Sequence, residues 1–206
     1  MSFPRSFVLA VALILAGLAT FQPERANAQA KPSARSAAVV LAGGCYWGVE
    51  SVFRHVRGVR FVTSGFATPA ADKGQATTAP AEAVRLEFDP SQISYRQILD
   101  IFFSVVHDPT QLNRQGPDVG AEYRSLVFVN DAAPRAMVRS YIDSLTSARV
   151  YPHPIVTQIV ALQSFHAVDE PQQNYAEKHP TDRYIVINDA PKLRALEQRF
   201  PRLYRK

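Results

Sequence analysis

Ala37-Ala38-Val39-Val40-Leu41-Ala42-Gly43-Gly44-Cys45-Tyr46-Trp47-Gly48-Val49-Glu50 is the stretch that decides the fold. Its first six residues are short, apolar and partly β-branched, the pattern of a buried strand, and Gly43-Gly44 stops that strand at a turn. Val49, Val52, Phe53 and Val56 then recur at i, i+3, i+4 and i+7, the stripe of an amphipathic helix that Gly58 is placed to end. The result is a β-α unit with Cys45 at the start of its helix.

Reading outward, Val59–Phe66 is expected as a second strand and the Ala, Thr, Pro and Gly of 67–81 as a loop. Ala83–Phe88 alternates as a half-buried third strand. Ser94-Tyr95-Arg96-Gln97 has the form of a capping box, opening a helix whose Ile98, Ile101, Phe102 and Val105 share one face. The polar 107–120 stretch reads as a long functional loop. Beyond it come a strand over Tyr123–Val129, a helix marked by Val138, Tyr141, Ile142 and Leu145, and a strand over Ile155–Leu162. This order predicts an α+β fold, a ferredoxin-like α/β plait whose mixed, mainly antiparallel sheet carries packed helices. Neither a repeat nor a composition break divides residues 29–206, so a single domain is expected there.

The amino end reads differently. Arg5 precedes an apolar run over Phe7–Ala19, too short to cross a bilayer comfortably but of secretory length. Ala26-Asn27-Ala28 and Ala28-Gln29-Ala30 both suit cleavage, so residues 1–28 are expected to be a signal peptide and the protein periplasmic or secreted. Membrane contact is expected only through that segment, were it left uncleaved.

Of the 206 residues, charged side chains are 20% and hydrophobic ones 47%, a globular composition. The net charge of +5 falls to +4 without residues 1–28, and the tail over Lys192–Lys206 alone carries +5. Basicity confined to one terminal, helical tail is a solvated face, and no nucleic-acid partner is expected. His55, His107, His153, His166 and His179 have no ligand spacing, so no metal site is expected. The single cysteine excludes an intramolecular disulfide. At a helix start, its sulfur faces unpaired N–H groups and the positive end of the dipole, which favour thiolate. Tyr46 and Trp47 lie off the apolar stripe and are free to line a pocket.

Gly43-Gly44-Cys45-Tyr46-Trp47-Gly48-Val49-Glu50 resembles the nucleophile motif of the peptide methionine sulfoxide reductases acting on the S epimer, usually G-C-F-W. His107-Asp108-Pro109-Thr110-Gln111-Leu112-Asn113-Arg114-Gln115-Gly116-Pro117-Asp118-Val119-Gly120, followed by Tyr123-Arg124-Ser125, is similar to that family's second motif. Phe165 through Tyr175 resembles its F-x-x-A-E-D-x-H-Q-x-Y. The resemblance implies that Cys45 attacks the sulfoxide sulfur, that Glu82 protonates the leaving oxygen, and that Tyr123 hydrogen-bonds it. It implies that Tyr46 and Trp47 cradle the S-methyl group, and it matches Asp118 to the aspartate of the same loop. The product would be a Cys45 sulfenic acid with no resolving cysteine in the chain. No bound cofactor is expected, and an external reductant is: a thioredoxin-like protein, a glutaredoxin or a small thiol. The substrate implied is methionine sulfoxide, free or in peptides and proteins.

The chain departs from the family between Gly65 and Glu82. That loop is normally some six residues longer, with a G-Y-x-G-G start, a tyrosine that is a second donor to the oxygen, and the H of H-A-E. Here Gly65-Phe66-Ala67-Thr68-Pro69 replaces the start, Pro80 replaces the histidine, and residues 62–94 hold no tyrosine. Pro171 and Gln172 replace an aromatic and a histidine in the third motif. Tyr151 and Tyr175 are candidates for the missing donor. Two other readings follow: a catalytically weakened sulfoxide-binding module, and a thiol peroxidase or redox sensor.

Overall fold

A computed structural model describes residues 36–71 and 78–206. The expected signal peptide, its cleavage sites and the middle of the 67–81 loop lie outside them. In chain order the elements are β1 (Ala37–Ala42), α1 (Tyr46–Arg54), β2 (Val59–Pro69), β3 (Ala81–Phe88), α2 (Tyr95–Ile101), β4 (Arg114–Gln115) and β5 (Asp118–Val119). They continue with β6 (Leu126–Phe128), α3 (Ala132–Ser147), β7 (Gln158–Val160), β8 (Leu162–Ala167), α4 (Tyr175–Lys178) and α5 (Ala190–Arg199).

Six strands form a mixed sheet in the order β7-β6-β1-β3-β2-β8, antiparallel except for the parallel pair β6–β7. β1 lies inside the sheet, which is why its run is apolar on both faces rather than alternating. Val39 and Leu41 join the helix-side core with Val49, Val52, Phe53 and Val56 of α1, while Val40 and Ala42 face a second cluster with Ala67, Ala83, Leu126 and Phe128. The capping box of α2 forms: Ser94 Oγ accepts from the Gln97 amide and Gln97 Oε1 accepts from the Ser94 amide. A π-helical turn over Phe102–Val106 extends this helix and buries Phe102 and Phe103 before His107.

Several boundaries differ from those expected. β2 continues to Pro69 and β3 begins at Ala81, because β8 pairs along Gly65–Pro69 and holds that end of β2 in the sheet. The strand expected over Tyr123–Val129 is confined to Leu126–Phe128, with Tyr123 in a 3-10 turn over Ala121–Tyr123. The strand expected over Ile155–Leu162 is two strands, split at Ala161 and paired to opposite ends of the sheet. The loop over 107–120 contains the small hairpin β4–β5. The carboxyl-terminal helix stops at Arg199, before Pro201. Its remainder straps onto the end of α1: Arg57 N donates to Leu203 O at 2.7 Å, Arg205 N to His55 O at 2.9 Å, and Arg205 Nε to Arg54 O at 2.9 Å. Cationic side chains there meet the negative end of the α1 dipole.

Candidate active site

Cys45 occupies the N-cap position of α1, partly exposed where β1 turns into the helix. The two glycines before it admit the second motif. A Cβ on Gly43 would stand 2.8 Å from the Phe102 ring and 3.1 Å from His107. Gly44 has φ +93°, and a Cβ there would meet Gln115 at 2.6 Å. The loop that touches them is held internally. Gln115 brackets the backbone of Asp108, accepting from its amide at 3.2 Å and donating to its carbonyl at 3.0 Å. Asp108 Oδ1 accepts from the Thr110 amide and hydroxyl. His107 is buried, which pulls its pKa down to about 4, so the ring is neutral and positional. Its Nδ1 bonds Phe102 O at 2.9 Å, and its Nε2 meets Ser125 Oγ at 2.7 Å.

Glu82 lies at the start of β3 and faces the helix start: its Oε2 accepts from the Tyr46 amide at 3.0 Å. Burial, with the negative charges of Asp118 and Glu122 nearby, raises the Glu82 pKa to about 7 against the pull of the Tyr46 amide and the neighbouring Cys45 thiol. Arg124, 2% exposed, fixes the approach to β3 by donating to the carbonyls of Ala79, Pro80 and Ala121. Tyr123 stands close enough to Glu82, Asp118 and Cys45 that, after burial, their negative charges raise its pKa.

The thiolate expected from the helix start is not the resting form. Burial and the Glu82 carboxylate push the Cys45 thiol up to about 12, and the Asp189 carboxylate adds to them. The Trp47 amide and the Tyr184 hydroxyl pull the other way without prevailing. The helix terminus supplies the expected N–H group, but desolvation and two carboxylates outweigh it.

Tyr46 is 8% exposed and packs edge-on against Trp47 and Phe66, with centroids at 6.3 and 6.0 Å. Phe66 is the direct cross-strand partner of Glu82. Trp47 is sandwiched by the third motif: it stacks on Tyr175 at 3.9 Å and donates its indole N–H to Gln172 Oε1 at 3.1 Å. Gln172, at the histidine position of the motif, therefore supplies the indole with an acceptor. Gln173 clamps Ser64 through both backbone groups, and buried Glu50 accepts from Ser64 Oγ and the Asn174 amide. These bonds fix Tyr175 against Trp47.

Neither of the anticipated substitute phenols points at the sulfur. Tyr151 bonds the Phe103 carbonyl and Tyr175 bonds Asp182 at 3.3 Å. The hydroxyl that reaches it belongs to Tyr184, which the sequence reading missed. Tyr184 donates to Asp118, lies edge-on to Trp47 at 5.8 Å and is close enough to Cys45 to pull the thiol's pKa down. It is delivered by the segment that closes over α1, where Asp189, 1% exposed, pairs with Lys192 at 3.1 Å. No local motif marks Tyr184; only the packing of the carboxyl-terminal segment on Gly48 brings it in.

Residues 37–203 match the family model described as peptide methionine sulfoxide reductase. The chain is 43% identical over 180 residues to "Peptide methionine sulfoxide reductase MsrA 2" of Mesorhizobium japonicum, covering 84% of this chain and 92% of that protein. It is 41% identical to "Peptide methionine sulfoxide reductase MsrA" of Natronomonas pharaonis, covering 80% and 96%. Among solved structures, reduced Mxr1 of Saccharomyces cerevisiae superposes with a TM-score of 0.63 at 27% identity, covering 73% of this chain and 89% of that one.

Proposed function

We propose a reaction course from one premise: the chain belongs to the peptide methionine sulfoxide reductase family and reduces methionine sulfoxide in a thiol-dependent reaction. The observation that carries the course is the juxtaposition of one thiol with one carboxyl of raised pKa, Cys45 and Glu82.

In this reading the S epimer binds with its S-methyl group against Tyr46 and Trp47, whose aromatic faces suit a sulfur-bound methyl. Glu82 enters protonated and Cys45 sulfur attacks the sulfoxide sulfur. Glu82 gives its proton to the oxygen as negative charge grows there, and Tyr123 donates a hydrogen bond to it. The S–O bond of the substrate breaks and an S–O bond to Cys45 forms, with the thiol proton restoring Glu82. Methionine sulfoxide is reduced by two electrons to methionine, and the Cys45 thiol is oxidised to sulfenic acid. Two equivalents of an external thiol then return Cys45–SOH to Cys45–SH, releasing a disulfide and water. A thioredoxin-like protein, a glutaredoxin or a small thiol fits that demand, because the chain offers no second cysteine.

We also read the chain as exported, on the strength of the apolar Phe7–Ala19 run and its A-x-A sites. The sheet core is a ferredoxin-like plait in this reading, supported by the β6-β1-β3-β2 order around α1 and α2. Incubating the mature protein with a peptide methionine S-sulfoxide and dithiothreitol tests the reaction. Methionine should form, and Cys45→Ser should abolish it; no methionine, or equal turnover by the variant, overturns the course.

A further inference from the structure

We propose that Tyr184 is a second phenol acting on the sulfoxide oxygen, a role for which residues 62–94 hold no tyrosine. The inference rests on the reaction course above and deepens it.

Three features of the geometry converge on Tyr184. Its hydroxyl is close enough to the Cys45 sulfur, the atom to which the oxygen is transferred, to pull the thiol's pKa down. Its ring is fixed edge-on against Trp47, a wall of the methyl cradle. Its hydroxyl also donates to Asp118, which fixes the direction of the O–H. The one proton cannot serve Asp118 and the substrate together. Asp118 is only half-buried, so water can take over its bond when the phenol turns to an oxygen gaining negative charge. The segment bearing Tyr184 has little room to drift. A Cβ on Gly48 would stand 2.1 Å from Asp189 Oδ1, so the helical segment carrying Tyr184 and Asp189, a π-helical turn over Ile185–Asp189 that runs into α5, lies against the first turn of α1.

Of the other phenols beside Cys45 and Glu82, Tyr123 already has its place at the oxygen in the reaction course, and Tyr46 lines the methyl cradle with its ring. Phe66 lies opposite Glu82 in the β2–β3 register and presents only a ring edge to Tyr46. The Tyr151 and Tyr175 hydroxyls bond elsewhere.

Single-turnover reduction of a peptide methionine S-sulfoxide by the full chain, with methionine quantified after acid quench, tests the proposal. Tyr184→Phe should slow the chemical step roughly 10²-fold, the cost of losing one donor to a developing oxyanion, with KM held within about threefold. A loss under threefold, or one confined to KM, overturns it. Phe66→Tyr offers an independent reading even if Tyr184→Phe folds poorly. With Tyr184 present, the added hydroxyl should raise the rate by less than about threefold; a gain of tenfold or more means the oxygen lacked its donor and overturns the proposal. An inactive parent chain sinks the reaction course and this inference together, whereas an active parent unaffected by Tyr184→Phe sinks the inference alone.

Discussion

Cys45 and Glu82 contend for one proton in a site that desolvates both. With Glu82 neutral, its charge no longer opposes ionisation of the thiol, so in the proposed course the protonated carboxyl is both the acid and a neighbour that tolerates attack by sulfur. The rate of methionine formation should therefore fall as pH rises through about 7, where Glu82 loses its proton, and a pH profile of kcat/KM checks this. The same carboxyl weighs on stability. Its folded pKa of about 7 exceeds the ordinary 4.5, so the fold favours the neutral form. The stabilising contribution is complete below about pH 4.5 and is lost as pH rises through 7. Glu82→Gln should consequently unfold about 2 kcal/mol less readily than the parent at pH 8, no more stably at pH 4, and without activity at either; thermal melts at the two values read the difference. The helix-start position of Cys45 was legible in the chain, whereas Glu82 was singled out only by the family resemblance, because on its own it reads as one more polar residue of a half-buried strand. The protonated state of the thiol was not legible, because Asp189 enters from a distant segment and burial has no local spelling.

At the scale of elements, the glycines say most. Gly48 stands in the first turn of α1, where Asp189 Oδ1 and Lys192 Nζ lie 2.1 and 2.5 Å from the position of a Cβ. Asp189 is almost fully buried and has no space into which to withdraw. Gly48→Ala should cost about 1–3 kcal/mol by overpacking and lower kcat by lifting the segment that bears Tyr184; a urea titration and steady-state kinetics report the two effects. The capping box and the α1 stripe were readable because each is set by residues one helical turn apart. β8 was not. Leu-Gln-Ser-Phe-His-Ala has weak alternation, and it becomes a strand because the exposed edge of β2 needs partners for its backbone. Gly65 permits that pairing, since a Cβ there would stand 2.4 Å from His166 O.

For the whole molecule, one thiol and no partner thiol set the stoichiometry. With reductant withheld, the chain should release one methionine per molecule and stop, with one oxygen atom added to Cys45 by mass spectrometry. More than one equivalent would mean that a group other than Cys45 returns the sulfur to its reduced state. The architecture that supports this was legible as an order of strands and helices and as two motifs on either side of α2. The carboxyl-terminal contribution was hidden because its basic composition reads as a solvated helix, whereas its first part lies against the site and its last residues strap α1.

The cover that this last segment lays over Cys45 also sets an order of events during synthesis. A chain made from its amino end displays the cysteine long before Tyr184, Asp189 and Lys192 exist. Until they dock, the sulfur lacks the Asp189 charge and part of the burial that hold it protonated, and it behaves as an ordinary reactive thiol. The nascent chain is then the form most open to alkylation or stray oxidation, and completing the carboxyl end silences the nucleophile until a sulfoxide arrives.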